Sequence, residues 1–329
     1  MKTTNYPVFQ TAKDMRCRWC GSNACDGIAK DGSGFWCADC DGFTYFSKDN
    51  NERHRMLLIL ETGTGKDPQL RNMPGLCKRI SPLRYPGGKS RLAEYLIMNA
   101  QPWQLDTFVE VFAGGASVGL SLLAAGRIRR LLLNDADPDV YAFWKTVLDD
   151  PSYLTEKTMT NIPTRDDFFE AKEKLRRNIS DRERGWYFFL VNRTAFSGIQ
   201  MANPMGDITS RWNPEGLSER IRRISSMKER ITLYNMDACD FLEQYAYWTD
   251  ATTLFIDPPY YGKGRLLYPK AFTDEDHVRL ADIINSLHTG FGGPDMIITY
   301  DQCPEIEDLY PWAETQYVSR IYSCRRKEK

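Results

Sequence analysis

The stretch Asp106-Thr-Phe-Val-Glu-Val-Phe-Ala-Gly-Gly-Ala-Ser117, continued by the apolar positions Val118, Leu120, Leu122 and Leu123, reads as a short strand, a glycine turn and a helix. Gly114 and Gly115 let the backbone approach a ligand closely, and the N-terminus of the following helix favours negative charge, so the turn suits a nucleoside that carries a carboxylate. A second strand, Arg130-Leu-Leu-Leu-Asn134, ends in Asn134-Asp135, about 20 residues on, where an acid can accept from ribose hydroxyls. The competing reading of Asp135 is a helix N-cap ahead of Pro138. Strand, glycine turn, helix, strand and acid together make one half of a Rossmann-like α/β sheet.

Further along, the apolar strand Thr252–Ile256 runs into Asp257-Pro258-Pro259-Tyr260. The exocyclic amine of adenine is a poor nucleophile because its lone pair is delocalised into the ring. A carboxylate and a proline carbonyl that accept its two hydrogens localise that pair, and both acceptors stand side by side here. The prolines stiffen the turn without demanding amide partners, and Tyr260 offers a face on which an extruded base can stack. Two glycine-lysine sequences, Gly63-Thr-Gly-Lys66 and Gly87-Gly-Lys-Ser90, are not phosphate loops: Asp67 follows the first, and Leu83 stands where the second needs a glycine.

Arg84-Tyr85-Pro86-Gly87-Gly88-Lys89, Glu110-Val-Phe112-Ala-Gly114-Gly115, Asn134-Asp135, Asn192-Arg193 with Phe196-Ser197-Gly198, and Asp257-Pro258-Pro259-Tyr260 occur in this order. Over residues 80 to 325 the chain thereby resembles the Dam-like adenine-N6 DNA methyltransferases of the alpha arrangement, in which the recognition region precedes the Asp-Pro-Pro-Tyr tetrapeptide. The resemblance implies an α/β fold: a Rossmann-like, S-adenosylmethionine-dependent methyltransferase sheet with a helical target-recognition insertion. It also implies a methyl transfer from S-adenosyl-L-methionine to N6 of a flipped adenine in double-stranded DNA. Cytosine-N4 methylation and an inactive DNA-binding protein on the same fold are the alternatives. By the same resemblance the cofactor site takes Tyr85, Gly88, Lys89, Glu110, Phe112, Gly114, Gly115, Asp135, Asp237 and Asp257, with Lys89 facing the cofactor's carboxylate, Asp135 the ribose and Asp237 the adenine. Asp257, Pro258 and Tyr260 are the catalytic set. The reaction expected is an in-line displacement with no covalent enzyme intermediate, so no cysteine nucleophile is required.

The N-terminal end has a different composition. Four of the nine cysteines fall as Cys17-x-x-Cys20 and Cys37-x-x-Cys40, which is zinc-ribbon spacing, and four thiolates suit a structural, tetrahedral Zn2+. Cys25, between the knuckles, is a weaker candidate ligand. The organisation expected is a small zinc ribbon at 1–50, a linker at 51–79 carrying at most one short element, and the methyltransferase domain at 80–329, with target recognition at 150–230.

Overall charge does not advertise DNA: 43 Lys and Arg against 44 Asp and Glu leave −1. After Asp150 and through Arg230, however, 15 Lys and Arg face 11 Asp and Glu, a local excess of four positive charges. Arg193, Ser197, Asn203 and Arg211 there, and Lys263 and Arg265 after the tetrapeptide, are the expected DNA contacts. The densest apolar run near the start, Met56–Leu60, is far shorter than the ~20 residues of a membrane span. A cytoplasmic protein of a bacterial or phage-infected cell is therefore expected, of unspecified oligomeric state.

Overall fold

The computed structural model describes residues 25–28, 34–37, 43–45, 56–62, 79–85, 89, 93, 106–199, 201–244, 252–262, 272–289 and 294–318. At the N-terminal end three short strands, β1 (Cys25–Ile28), β2 (Gly34–Cys37) and β3 (Phe43–Tyr45), form an antiparallel sheet in chain order, with Cys25 opposite Cys37. Cys17, Cys20 and Cys40 lie outside the described residues, and Cys37 is described by its backbone alone.

The main sheet has seven strands: β4 (Met56–Glu61), β5 (Thr107–Glu110), β6 (Arg130–Asn134), β7 (Ile231–Tyr234), β8 (Thr252–Ile256), β9 (Asp295–Asp301) and β10 (Glu314–Val318). Their spatial order is β10-β4-β9-β8-β5-β6-β7, and every pairing is parallel. Parallel strands covered on both sides read as unbroken apolar runs, as Met56-Leu-Leu-Ile-Leu60 and Thr252-Thr-Leu-Phe-Ile256 do, each of them wholly buried. Alternate residues divide between two cores: Leu57, Ile59, Phe108, Leu131 and Phe255 on one face, Leu58, Val109, Leu254 and Ile298 on the other.

This changes one expectation. The stretch 51–79 carries β4, which is no linker strand: it is inserted between β9 and β10, with Leu57 opposite Ile297 and Leu58 opposite Thr315. A fully buried strand has no alternation of polar and apolar residues, so a run of five apolar residues gave periodicity nothing to act on.

The first core is covered by α1 (Ser117–Ala124), α2 (Pro138–Asp149) and the helices of the recognition region: α3 (Pro151–Thr160), α4 (Arg165–Leu175), α5 (Asp181–Thr194) and α6 (Pro214–Ser225). The second is covered by α7 (Ala238–Gln244), α8 (Asp274–Thr289) and α9 (Pro304–Leu309). Helix starts are written in the sequence. Asp137-Pro138, Asp150-Pro151 and Asn213-Pro214 place a side-chain acceptor at the N-cap and a proline inside it, and Thr164 with Asp167 and Ser180 with Glu183 close capping boxes. Among the described residues no helix is long and apolar enough to cross a membrane.

Helices α3 to α6 are anchored through α2 and α5. Phe143 stacks on Phe189, their ring centroids 5.3 Å apart, and Gly185 allows the backbones to approach: a Cβ there would stand 2.6 Å from Thr146 Oγ1 and 2.7 Å from the Ala142 carbonyl oxygen. Because backbone cannot rotate away as a side-chain end can, Gly185→Val should cost about 1–3 kcal/mol of stability in urea denaturation. An unchanged midpoint would show that α5 can shift freely on α2.

Candidate active site

Chain order reverses at the centre of the sheet. From β5 the chain steps outward to β6 and β7, then returns to the other side of β5 as β8 and moves the opposite way to β9. Beyond the carboxyl ends of strands at such a switch point there is a crevice. Here it is a cavity of about 530 Å³, lined by residues that include Tyr85, Lys89, Glu110, Phe112, Gly114, Gly115, Asp135, Asp237, Asp257 and Phe272. Of the ten expected cofactor residues, nine line it; Gly88 lies outside the described residues.

The glycine turn after β5 forms its floor. Gly114 has φ +44°, and a Cβ on it would meet the Tyr85 ring at 2.9 Å, so a side chain is excluded both by conformation and by space. Its N–H donates to Asp135 Oδ2 at 2.8 Å, and its carbonyl accepts from Trp144 Nε1 at 2.9 Å. Asp135 also accepts from the Asp137 N–H at 3.0 Å, while Asp137 itself caps α2, so the cap and the pocket acid are separate residues. Glu110, wholly buried, accepts from the Gly119 N–H inside α1. Burial pushes its carboxyl up to about 8 and that of Asp135 to about 7. Asp237, exposed at the rim, accepts from the N–H groups of Cys239 and Asp240 and so starts α7.

At the end of β8, Asp257 is held from two sides. Lys89 Nζ donates to Oδ1 at 2.7 Å and Oδ2 at 2.9 Å, and Thr299 Oγ1, from the neighbouring β9, donates to Oδ1 at 2.6 Å. The ammonium also lies 3.7 Å from Glu61 Oε1 and 4.7 Å from the centroid of the Tyr260 ring. Where the sequence has Lys89 facing a cofactor carboxylate, its nearest described anions are therefore Asp257 and Glu61. Pro258 is buried and Tyr260 half-buried. Asp301, ending β9, accepts from the N–H groups of Tyr261 and Gly262 at 3.1 and 3.2 Å and so holds the chain that leaves the tetrapeptide. Beneath it His277, buried, lies with Nδ1 2.8 Å from the Tyr300 hydroxyl.

The expected DNA contacts divide. Ser197 (φ +55°) and exposed Asn203 and Arg211 lie on the loop after α5, with the Asn203 carbonyl accepting from the Phe196 N–H. Arg193 is a correction: it is buried, and its guanidinium donates to the carbonyls of Pro82 and Arg211, which makes it an internal tie. Several other arginines of the basic stretch are likewise engaged within the protein, Arg184 with Asp139 at 2.6 Å and Arg182 with Asp150 at 3.1 Å. Lys263 and Arg265 lie outside the described residues. Among the described residues no group of three or more His, Cys, Asp or Glu is placed to hold a metal ion.

Glu61, Thr299 and Asp301 escaped the sequence reading. Glu61 ends β4, and Thr299 and Asp301 stand at the carboxyl end of β9, which lies between β4 and β8, so their relevance depends on strand order, which local sequence does not state.

A parallel sheet with a glycine turn after β5, an acid after β6 and Asp-Pro-Pro-Tyr after β8 defines a methyltransferase of exocyclic amines. The chain belongs to the D12 class N6 adenine-specific DNA methyltransferase family, whose model matches residues 85–324. It is 23% identical over 235 residues to the Type II methyltransferase M.MjaIII of Methanocaldococcus jannaschii, a match covering 62% of this chain and 79% of that protein. It is also 23% identical over 211 residues to the Retron Ec67 DNA adenine methylase of Escherichia coli, covering 61% of this chain and 71% of that protein.

Raised carboxyls carry a pH signature. The folded chain keeps protons on Glu110 and Asp135 in a range where the unfolded chain has lost them, so their contribution to stability is full below about pH 4 and falls as pH rises towards about 8. Urea denaturation at pH 5.5 and 8.5 should show Glu110→Gln losing less stability across that interval than the unaltered protein, by about 1 kcal/mol or more. Equal losses would place an ionised Glu110 in the fold.

Proposed function

We propose that this adenine-specific DNA methyltransferase acts on an adenine turned out of double-stranded DNA at particular sequences, using S-adenosyl-L-methionine bound in the cavity between β5, β6 and β8. The observation that carries the reading is the placement of Asp257: a carboxylate at the sheet's switch point, oriented by Lys89 and Thr299 and facing the cavity floored by Gly114 and Asp135.

The cavity fits the cofactor on its own features. Its volume suits a nucleoside-sized ligand, Gly114 lines it with backbone alone, packed against the Tyr85 ring, and Asp135 offers an acceptor beside the turn. When bound, S-adenosyl-L-methionine supplies a sulfonium methyl group. Asp257 and the Pro258 carbonyl would accept the two hydrogens of the target amine and so localise its lone pair for attack on the methyl group. Tyr260 stacks on the extruded base. Lys89 holds Asp257 as an ion pair, and Thr299 fixes the rotation of the carboxylate. Ser197, Asn203 and Arg211 face the DNA from the loop after α5, and Lys263 and Arg265 flank the target strand. The cytosine reading is dropped, because the family is adenine-specific, and an inactive fold would have no use for a held Asp257.

At the N-terminal end we infer a structural zinc ribbon on Cys17, Cys20, Cys37 and Cys40. Their spacing supports it, as does the three-stranded antiparallel sheet that ends β2 at Cys37. A cytoplasmic setting follows from its DNA substrate.

Tritiated methyl incorporation into genomic DNA that lacks methylated adenine tests the main reading. Asp257→Ala should lower incorporation by about 10²-fold or more while DNA binding in a gel shift stays within a few-fold; normal activity in that variant would remove Asp257 from the chemistry. Elemental analysis should return about one zinc per chain, lost on replacing Cys37 and Cys40 with serine, and a zinc-free, fully folded protein would refute the ribbon.

A further inference from the structure

Strand β4 precedes the residues that the family model matches, yet its last residue reaches the site. The Glu61 side chain has no solvent exposure, and that of Lys89 is 3% exposed, whereas Asp257 is 22% exposed and opens on the cavity. One ammonium thus serves two carboxylates, one sealed inside the sheet's edge and one facing the ligand. Burying a carboxylate so completely is unfavourable unless a cation stays beside it, and Lys89 is the cation at 3.7 Å.

Asp257 has a conflict of engagements. Its Oδ1 receives both Lys89 and Thr299, and its Oδ2 receives Lys89. The target amine must be accepted on the same two oxygens, of which Oδ2 has the one position left, so amine and ammonium share that oxygen and part of the ammonium's hold is loosened when the base arrives. An ammonium displaced into a dry pocket would have to be stabilised by another anion. Glu110 also acts electrostatically on Asp257 but is itself held largely protonated and bound to the Gly119 N–H. The Tyr260 ring, 4.7 Å away, offers only a face. Among the described residues Glu61 is the carboxylate in reach.

We propose that Glu61 is a positioning residue for methyl transfer: it retains the Lys89 ammonium while Asp257 exchanges that ammonium for the target amine. The inference rests on the role given to Asp257 above. Glu61 makes no contact with the base; it acts through Lys89, and what it supplies is negative charge at the end of β4. Without that charge Lys89 is bound by Asp257 alone, and the amine has to compete with an undivided ion pair.

Charge and shape separate in two substitutions. Glu61→Gln keeps the shape and removes the charge; Glu61→Asp keeps the charge and removes a methylene. Turnover is read as tritium incorporation at saturating S-adenosyl-L-methionine and genomic DNA, with KM for both substrates and the melting temperature of each protein measured alongside. Glu61→Gln should lose 10-fold or more in kcat with both KM values within about threefold, and Glu61→Asp should keep at least a third of the original kcat. A merely structural Glu61 gives the reverse order, because glutamine packs like the native residue and aspartate leaves a gap; glutamine equal to or better than aspartate overturns the proposal. Should Glu61→Gln fail to fold, Glu61→Asp decides alone: a kcat below a tenth of the original overturns it, and a kcat above a third sustains it. If the unaltered protein incorporates no methyl group, the reading of Asp257 fails and this one with it, whereas an active protein with the reversed order removes only Glu61.

Discussion

The site depends on one ion pair, that of Lys89 with Asp257. Parallel strands gather their carboxyl ends along one edge of the sheet, and in this protein six of those ends carry an acid at or just beyond the last residue: Glu61, Glu110, Asp135, Asp237, Asp257 and Asp301. Like charges at such density repel one another, and different residues resolve it differently. Burial raises the carboxyls of Glu110 and Asp135, Asp237 remains exposed at the rim, and Asp301 spends its oxygens on backbone N–H groups. Glu61 and Asp257 share one buried cation, Lys89, and of the two only Asp257 opens on the cavity. Residues of one kind are thus held in unlike surroundings along a single edge of the sheet.

The architecture was legible where a motif carries its own geometry. Glycine after a strand, an acid after the next one and Asp-Pro-Pro-Tyr after a third are local statements, and nine of ten expected cofactor residues line one cavity as a result. What escaped is relational. Thr299 matters because β9 lies beside β8, and Glu61 because β4 lies beside β9, neighbours that are set by the whole sheet. Arg193 misled for a similar reason. A basic residue in a basic stretch reads as a phosphate contact, but its guanidinium closes onto the carbonyls of Pro82 and Arg211, and only packing reveals that.

A second tie joins the cofactor side to the recognition side. Asn192 accepts from the Arg84 N–H at 2.8 Å through Oδ1 and donates from Nδ2 to the Arg84 carbonyl at 2.7 Å, while Gly198, at φ +74°, lies so close that a Cβ would stand 2.4 Å from that carbonyl oxygen. Arg84 Nη1 returns the contact to the Ala195 carbonyl at 3.1 Å. Tyr85, which walls the cavity, therefore follows directly on a residue clamped to the end of α5. The loop after α5 is thus tied through one peptide to the ring that packs on Gly114.

The position of β4 also bears on how the chain is made. Its two sheet partners, β9 and β10, are synthesised more than two hundred residues after it. Five consecutive apolar residues, Met56 to Leu60, therefore wait without their native neighbours while those residues are made, an interval in which unpaired apolar strands are the segments most prone to associate wrongly. The strand that brings Glu61 to the site is the first of the described main-sheet strands to be made and among the last to be enclosed, because it cannot be flanked until β9 and β10 follow.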